Sequence, residues 1–205
     1  RPACTGARHP QGLSRMRLFV ALVPPPAVRA ALIDAMEGLA GARWQADDQL
    51  HLTLRFVGEV DRRTAAELDG ELARLRHPAL AVRLEGAGLF ETRGRPHTLW
   101  IGAGPQAALE ALHHKVDQAC ALAGLPRETR AFRPHVTLAR LGRDAGPPGA
   151  AMARIGRLGA LAFEARELVL FESLLGREGA HYRALAAYPL AAAGTGRLPP
   201  TPPAA

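Results

Sequence analysis

His51-Leu52-Thr53-Leu54 and His135-Val136-Thr137-Leu138 are two copies of one short pattern. The likeness extends to a glycine seven positions after each His, Gly58 and Gly142, so the shared form is H-x-T-L-x-x-x-G. Each copy also has a long polar side chain two positions before the His, Gln49 and Arg133. Apolar residues alternate around each His, at Leu50, Leu52, Leu54 and Phe56, then at Phe132, Val136 and Leu138. That period predicts two β-strands. Residues i and i+2 of a strand share a face, so His51 projects with Thr53 and His135 with Thr137. A repeat kept for packing alone has reason to hold Leu and Gly. It has none to hold His and Thr on one face, so the duplication points to a site.

Outward from the motifs, residues 17–23 form an apolar run ended by Pro24-Pro25-Pro26, which predicts a buried strand and then a helix start. Val28, Leu32, Ala35 and Leu39 give that helix a face, and Gly41 is expected to stop it. Trp44 lies in the approach to the first motif strand, placed at 49–57 with Gly58 as its end. Asp61 is a predicted N-cap for a helix with Ala65, Leu68, Leu72 and Leu75 on one side. Residues 80–90 and 97–103 read as a hairpin about Arg93-Gly94-Arg95-Pro96. Gly104-Pro105 opens a long helix, with Leu109, Leu112, Val116, Ala119 and Ala123 inward, that ends at Gly124. The second motif strand is placed at 134–141, a loop at 143–149 and a short helix at 149–157. Strands follow at 161–175, broken near Glu164, and at 181–188, joined by Gly176-Arg177-Glu178-Gly179.

The predicted class is α+β. Two pseudo-symmetric lobes, each a small mainly antiparallel sheet with outer helices, face each other across a central cleft, with one motif in each. Residues 1–15 read as a disordered extension ahead of a natural start at Met16, 16–190 as the bilobal domain, and 191–205 as a disordered Ala/Gly/Pro tail.

Composition narrows the classes. No run approaches 18 apolar residues, so no membrane-spanning helix is expected, and the first 15 residues lack the apolar centre of a secretory signal. Cys4 and Cys120 make no disulfide framework, which suits a cytoplasmic protein. Four of the seven excess positive charges come from Arg1, Arg8, Arg15 and Arg197, so the central part is mildly basic. That is compatible with a polyanionic ligand.

A neutral imidazole can take a proton from water while a protonated one gives a proton to a leaving group, because His titrates near working pH. A Thr hydroxyl beside each His can donate to non-bridging phosphate oxygens and hold phosphorus between the imidazoles. This chemistry needs no metal and no cofactor. The spacing does not fit H-E-x-x-H or Cys-rich zinc ligation, and no phosphate-binding G-x-x-x-x-G-K-[ST] loop or G-x-S-x-G elbow is present.

On these motifs the chain resembles the two-histidine phosphoesterase superfamily, and within it the bacterial 2'-5' RNA ligase-like RNA 2',3'-cyclic phosphodiesterases. The resemblance runs through Arg17-Leu-Phe-Val-Ala-Leu22, Trp44, Leu50 to Gly58, Leu99-Trp-Ile-Gly102, Phe132 to Arg140, and Tyr182-x-x-Leu185-x-x-Tyr188-Pro-Leu190. It implies hydrolysis of an RNA 2',3'-cyclic phosphate to a 2'-phosphate, with His51 as proton donor to the leaving oxygen and His135 as proton acceptor from water. It implies phosphate binding by Thr53, Thr137 and Arg140. Strict alternation puts Arg140 on the face opposite His135, so it reaches the cleft only if the strand bulges. The implied partner is RNA with a cyclic end, tRNA halves being one candidate for reverse 2'-5' joining, acted on by a monomer away from membranes. Competing readings are a phosphodiesterase for small cyclic nucleotides or 2'-5' oligonucleotides, and a non-catalytic RNA-binding module.

Other residues receive plainer readings. His97-Thr98 is read as ordinary hairpin with the two side chains opposed, His113-His114 as solvated, and His181 as a strand start. Arg93, Arg95, Arg133 and Arg143 are candidates to line an RNA path. Phe19, Trp44 and Trp100 are assigned to packing rather than to base stacking.

Overall fold

The computed structural model describes residues 15–159, 161–176 and 179–191. The readings of residues 1–14, including Cys4, of Arg177 and Glu178, and of the tail beyond 191 lie outside them.

The elements run in chain order as β1 (Met16–Leu22), α1 (Pro26–Ala35), β2 (Ala42–Trp44), β3 (Leu52–Val60), α2 (Arg62–Arg74), β4 (Leu80–Thr92) and β5 (Arg95–Gly104). They continue as α3 (Gln106–Leu122), β6 (His135–Leu141), α4 (Gly149–Gly156), β7 (Leu161–Ala165), β8 (Glu167–Gly176) and β9 (Gly179–Pro189). A single 3-10 turn, Asp47–Gln49, precedes the first motif. Asp61 caps α2 by accepting from the Thr64 amide at 2.8 Å, as its place before an apolar stripe predicts.

Strand order is β7-β4-β5-β6-β3-β1-β8-β9, with β2 added beside β6, and every pairing between strands is antiparallel. At the centre β3 and β6 share one residue pair, Leu52 with Val136. The sheet is thus two half-sheets, one per motif, hinged on a seam. Leu52 and Val136 each follow a motif His, so the seam joins equivalent residues. This is the α+β, two-lobed arrangement expected.

The lobes are interleaved in sequence. β8 and β9 complete the half that holds the first motif, and β2 joins the half that holds the second. β7 ends at Ala165 and β8 begins at Glu167, yet they belong to opposite halves. One residue, Arg166, cannot span a flat sheet of this width. The sheet is therefore curled, and its halves meet again there. The expected break near Glu164 is this crossing.

Leu52, Leu54, Leu109, Leu112, Val116 and Val136 are buried on the helix side of the sheet. α3 packs on both β3 and β5, so its apolar stripe covers the seam from behind. The other sheet face carries the motif hydroxyls and imidazoles.

Three local expectations are corrected. α1 ends at Ala35 rather than at Gly41, because the chain turns out of the helix at Met36 and passes through Gly38 at φ +68. Gly58 does not end its strand: β3 continues to Val60, and Gly58 sits inside it at φ +85 beside a register shift, a conformation that costs other residues strain. His113 is not solvated. It is 6% exposed, stacked on Phe132 with ring centroids 4.3 Å apart, and its Nδ1 lies 2.7 Å from the Leu54 carbonyl.

Candidate active site

Each motif is followed by a β-bulge at the same place. Against β1, Thr53 pairs with Ala21 and Arg55 with Val20, so Leu54 is an extra residue. Against β5, Thr137 pairs with Trp100 and Ala139 with Leu99, so Leu138 is the extra residue. Leu54 with Arg55, and Leu138 with Ala139, are therefore consecutive buried residues. An extra residue reverses the parity of everything after it. Arg140 thereby returns to the cleft face, meeting the condition set for it by the sequence. Phe56, its counterpart in the first copy, does the same and stands 52% exposed. The expectation that Phe56 lies on the apolar face with Leu50 and Leu54 is corrected for the same reason.

The bulged strand is anchored from the helix side. The Leu54 carbonyl accepts from His113 on α3. Arg55 is buried and donates to Asp117 at 3.0 Å and to the Pro126 carbonyl at 2.7 Å, and Asp117 also accepts the Glu128 amide at 3.0 Å. The neutralised charges hold the 126–128 loop to β3.

The two imidazoles are held in the same way. His51 Nδ1 lies 2.8 Å from the Gln49 carbonyl, and His135 Nδ1 lies 2.7 Å from the Arg133 carbonyl. A carbonyl only accepts, so each Nδ1 carries the proton and each Nε2 is left for chemistry. The feature shared two positions upstream is thus used through backbone. The Gln49 side chain has a separate task, donating to the Ala180 carbonyl at 2.7 Å and so tying β9 to the approach of the first motif.

Aromatic rings back each His. His51 has Phe19 at 4.9 Å and Tyr182 at 5.2 Å between ring centroids, and Phe19 stacks on Phe171 at 5.1 Å. His135 has Phe90 edge-on at 4.8 Å and Trp100 at 6.0 Å. Trp100 lies flat over Gly88, where a Cβ would come within 2.1 Å of the indole. Phe19 is 3% exposed, in keeping with the packing reading. Sequence reasoning does not place Phe90 and Tyr182 in the site. Their signal is cross-strand register, Phe90 opposite Thr98 and Tyr182 one hairpin away, which composition does not reveal.

Burial among these rings pushes the His51 pKa down to about 4, opposed by the Gln49 carbonyl and helped by positive charge on His135 and Arg140. Burial lowers the His135 pKa too, again with Arg140 contributing. The three groups therefore feel one another's charge, and an anion placed among them would raise both imidazole pKa values.

Thr98 is more than the ordinary hairpin residue expected. It is buried, and its hydroxyl accepts from Arg140 at 2.8 Å and lies 2.9 Å from His97 Nδ1. Thr98 and Arg140 are register partners on β5 and β6, so they share a face. His97 and Thr98 are thus joined rather than opposed. Among the described residues no three His, Cys, Asp or Glu side chains cluster as metal ligands would, and no helix is long and apolar enough to cross a membrane. Cys120 is buried, and its thiol is pushed up to about 11 by burial.

Comparison with known proteins agrees with this geometry. The family described as the 2'-5' RNA ligase superfamily matches residues 24–177. An RNA 2',3'-cyclic phosphodiesterase of Aeropyrum pernix is 34% identical over 155 residues, 74% of this chain and 87% of that protein. A crystal structure of a Thermus thermophilus protein superposes with a TM-score of 0.73 at 26% identity, covering 87% of this chain and 100% of that one. The E. coli protein LigT, crystallised with 3'-AMP, superposes with a TM-score of 0.70 at 27% identity, covering 86% of this chain and 99% of that one.

Proposed function

The chain belongs to the 2'-5' RNA ligase superfamily, and we propose that it hydrolyses the 2',3'-cyclic phosphodiester at an RNA 3' end to a 2'-phosphomonoester by two-histidine acid–base catalysis. The carrying observation is the pair of equivalent imidazoles, each with Nδ1 fixed on a carbonyl and Nε2 without a hydrogen bond among the described residues. The relative from Aeropyrum pernix bears the name of this activity.

In this reading the cyclic phosphate sits between the motifs. Thr53 and Thr137 donate to its non-bridging oxygens, and Arg140 supplies fixed positive charge for the excess charge of the transition state. His135 Nε2 takes a proton from water, whose oxygen bonds to phosphorus. The bond from phosphorus to O3' breaks, and His51 gives its Nε2 proton to that oxygen. One water is consumed, the phosphate stays on O2', and proton exchange with solvent resets the pair. The anionic substrate raises the depressed His51 pKa, which makes the imidazole a proton donor once substrate is bound.

The polymeric partner in this reading is RNA, tRNA halves included, and 2'-5' joining is the same displacement with a ribose 5' hydroxyl in place of water, O3' again leaving. Both halves of the site come from one chain, so a monomer suffices. We place the activity in the cytoplasm.

The test is incubation in EDTA with a short RNA ending in a 2',3'-cyclic phosphate, followed by identification of the terminal phosphate. A 2'-phosphate is expected. A 3'-phosphate would reverse the leaving group, and no turnover of RNA or of a cyclic mononucleotide would overturn the reading.

A further inference from the structure

We propose that a basic track running from Arg140 into the groove between the β4–β5 turn and the β6–α4 loop binds the backbone phosphates of the nucleotides immediately upstream of the cyclic end. The inference rests on the function proposed above and assigns the part of the substrate that a cyclic mononucleotide lacks.

The track starts at the site. Arg43 on β2 is the register partner of Arg140 on β6, so the two side chains leave the same face of the sheet from adjacent strands. Like charges directly opposite one another destabilise a sheet unless an anion lies between or beside them. Arg43 has no acidic partner among the described residues.

The track continues through Thr98. Its buried hydroxyl accepts from Arg140 and has His97 Nδ1 within reach as the acceptor for its own proton. That arrangement satisfies every group and leaves His97 Nε2–H as a donor on the groove side. The groove has a volume of about 820 Å³ and is walled by Thr92, Arg95, His97, Arg143 and Asp144, among others. Arg95 and Arg143 form no ion pair among the described residues, and Asp144 is the only carboxylate in the wall.

Of the four arginines that the sequence offers for an RNA path, the structure brings Arg95 and Arg143 together here. Arg93 sits in the β4–β5 turn at φ +54, and Arg133 lies at the other end of β6. An RNA whose 3'-terminal phosphate lies at Arg140 has to leave the site by its 5' side. This groove is joined to Arg140 through the hydrogen bonds of Thr98 and His97, and within its partly apolar wall Arg95, Arg143 and His97 supply hydrogen-bond donors and more positive than negative charge. That chemistry recognises a polyphosphate backbone and carries no base selectivity.

The experiment compares the unaltered chain with its Arg95→Ala/Arg143→Ala variant in two arms. In the binding arm, a labelled hexaribonucleotide ending in a 2'-phosphate, which is not turned over, is titrated by fluorescence anisotropy against salt. 2'-AMP serves as the short control. The variant should bind the hexanucleotide about tenfold more weakly and 2'-AMP unchanged. Its slope of log affinity on log salt should fall by about 1.4, about 0.7 for each phosphate that the protein no longer neutralises. Equal hexanucleotide affinity in the two proteins, or equal weakening for 2'-AMP, overturns the track. In the turnover arm, KM should rise for the cyclic-ended hexanucleotide and not for the cyclic mononucleotide. Absence of turnover by the unaltered chain, with the binding difference intact, would overturn the phosphodiesterase reading and leave the track standing.

Discussion

Phe56 and Arg140 occupy equivalent positions in the two halves of the molecule, each five residues beyond its motif His and each turned to the cleft by the bulge after its Thr. One half therefore offers the cleft a cation and the other an exposed aromatic face. An exposed ring costs little to remove, whereas a buried one costs about 3–5 kcal/mol. Phe56→Ala should leave the urea midpoint nearly unchanged and raise KM several-fold for cyclic substrates through lost stacking on the base. Phe19→Ala, in the ring stack behind His51, should lower the midpoint strongly. Equal stability losses for the two variants would contradict this division.

Thr98 positions Arg140 without touching the reacting atoms in this account. Thr98→Val keeps the buried volume and removes the hydroxyl that Arg140 donates to. KM should rise while the pH profile keeps its shape, because both imidazoles remain. Arg140→Lys should do the same and more, since an ammonium keeps the charge but not the planar fork. Unchanged KM in Thr98→Val would remove Thr98 from this role.

The His51 pKa has a consequence for stability. His51 resists protonation down to about 4 in the folded chain but titrates near 6.5 when unfolded. Between these values the unfolded chain holds more protons, so the stabilisation is full above pH 6.5 and is lost as pH falls toward 4. His135 acts in the same direction. The urea midpoint should fall from about pH 7 to about pH 4.5 more steeply in the unaltered chain than in His51→Gln. Binding of 2'-AMP at about pH 6 should take up protons, measured as a dependence of calorimetric enthalpy on buffer ionisation heat. Matching slopes and no proton uptake would contradict the assignment.

Arg55 and Asp117 form a buried ion pair that also holds the 126–128 loop. Removing one partner leaves the other charge buried, at a cost of about 3–5 kcal/mol. Asp117→Ala should lower the denaturation midpoint accordingly, and Arg55→Met/Asp117→Leu should recover part of the loss. A double variant as unstable as the single one would argue against an electrostatic cause.

Local patterns carried much of this structure in the sequence. The i, i+2 spacing of His and Thr placed both pairs on one face, and the Asp61 cap and the Gly124 stop followed from helix chemistry. What was hidden depends on partners distant in sequence. A bulge arises from the register of β3 on β1 and of β6 on β5, so alternation within one strand put Phe56 on the wrong face and left Arg140 conditional. His113 has an exposed neighbour at His114, and only the packing of α3 on β3 buries it. The joining of β8 to the half that holds the first motif is likewise invisible to the order of elements along the chain. The backbone use of Gln49 and Arg133 explains why the two copies share a position there without sharing a residue.

In the proposed reaction His51 gives the proton to O3' and His135 takes one from water, a division of roles that one substrate can separate. It is tested most directly by an RNA cyclic end with sulfur in place of the 3' bridging oxygen. A thiolate leaves without a proton, so the need for an acid disappears while the need for a base remains. On the ordinary substrate His51→Ala and His135→Ala should each lose about 10²- to 10⁴-fold in kcat. On the sulfur substrate His51→Ala should recover most of its activity and His135→Ala should not. Rescue of His135→Ala alone, or of neither variant, would contradict the account.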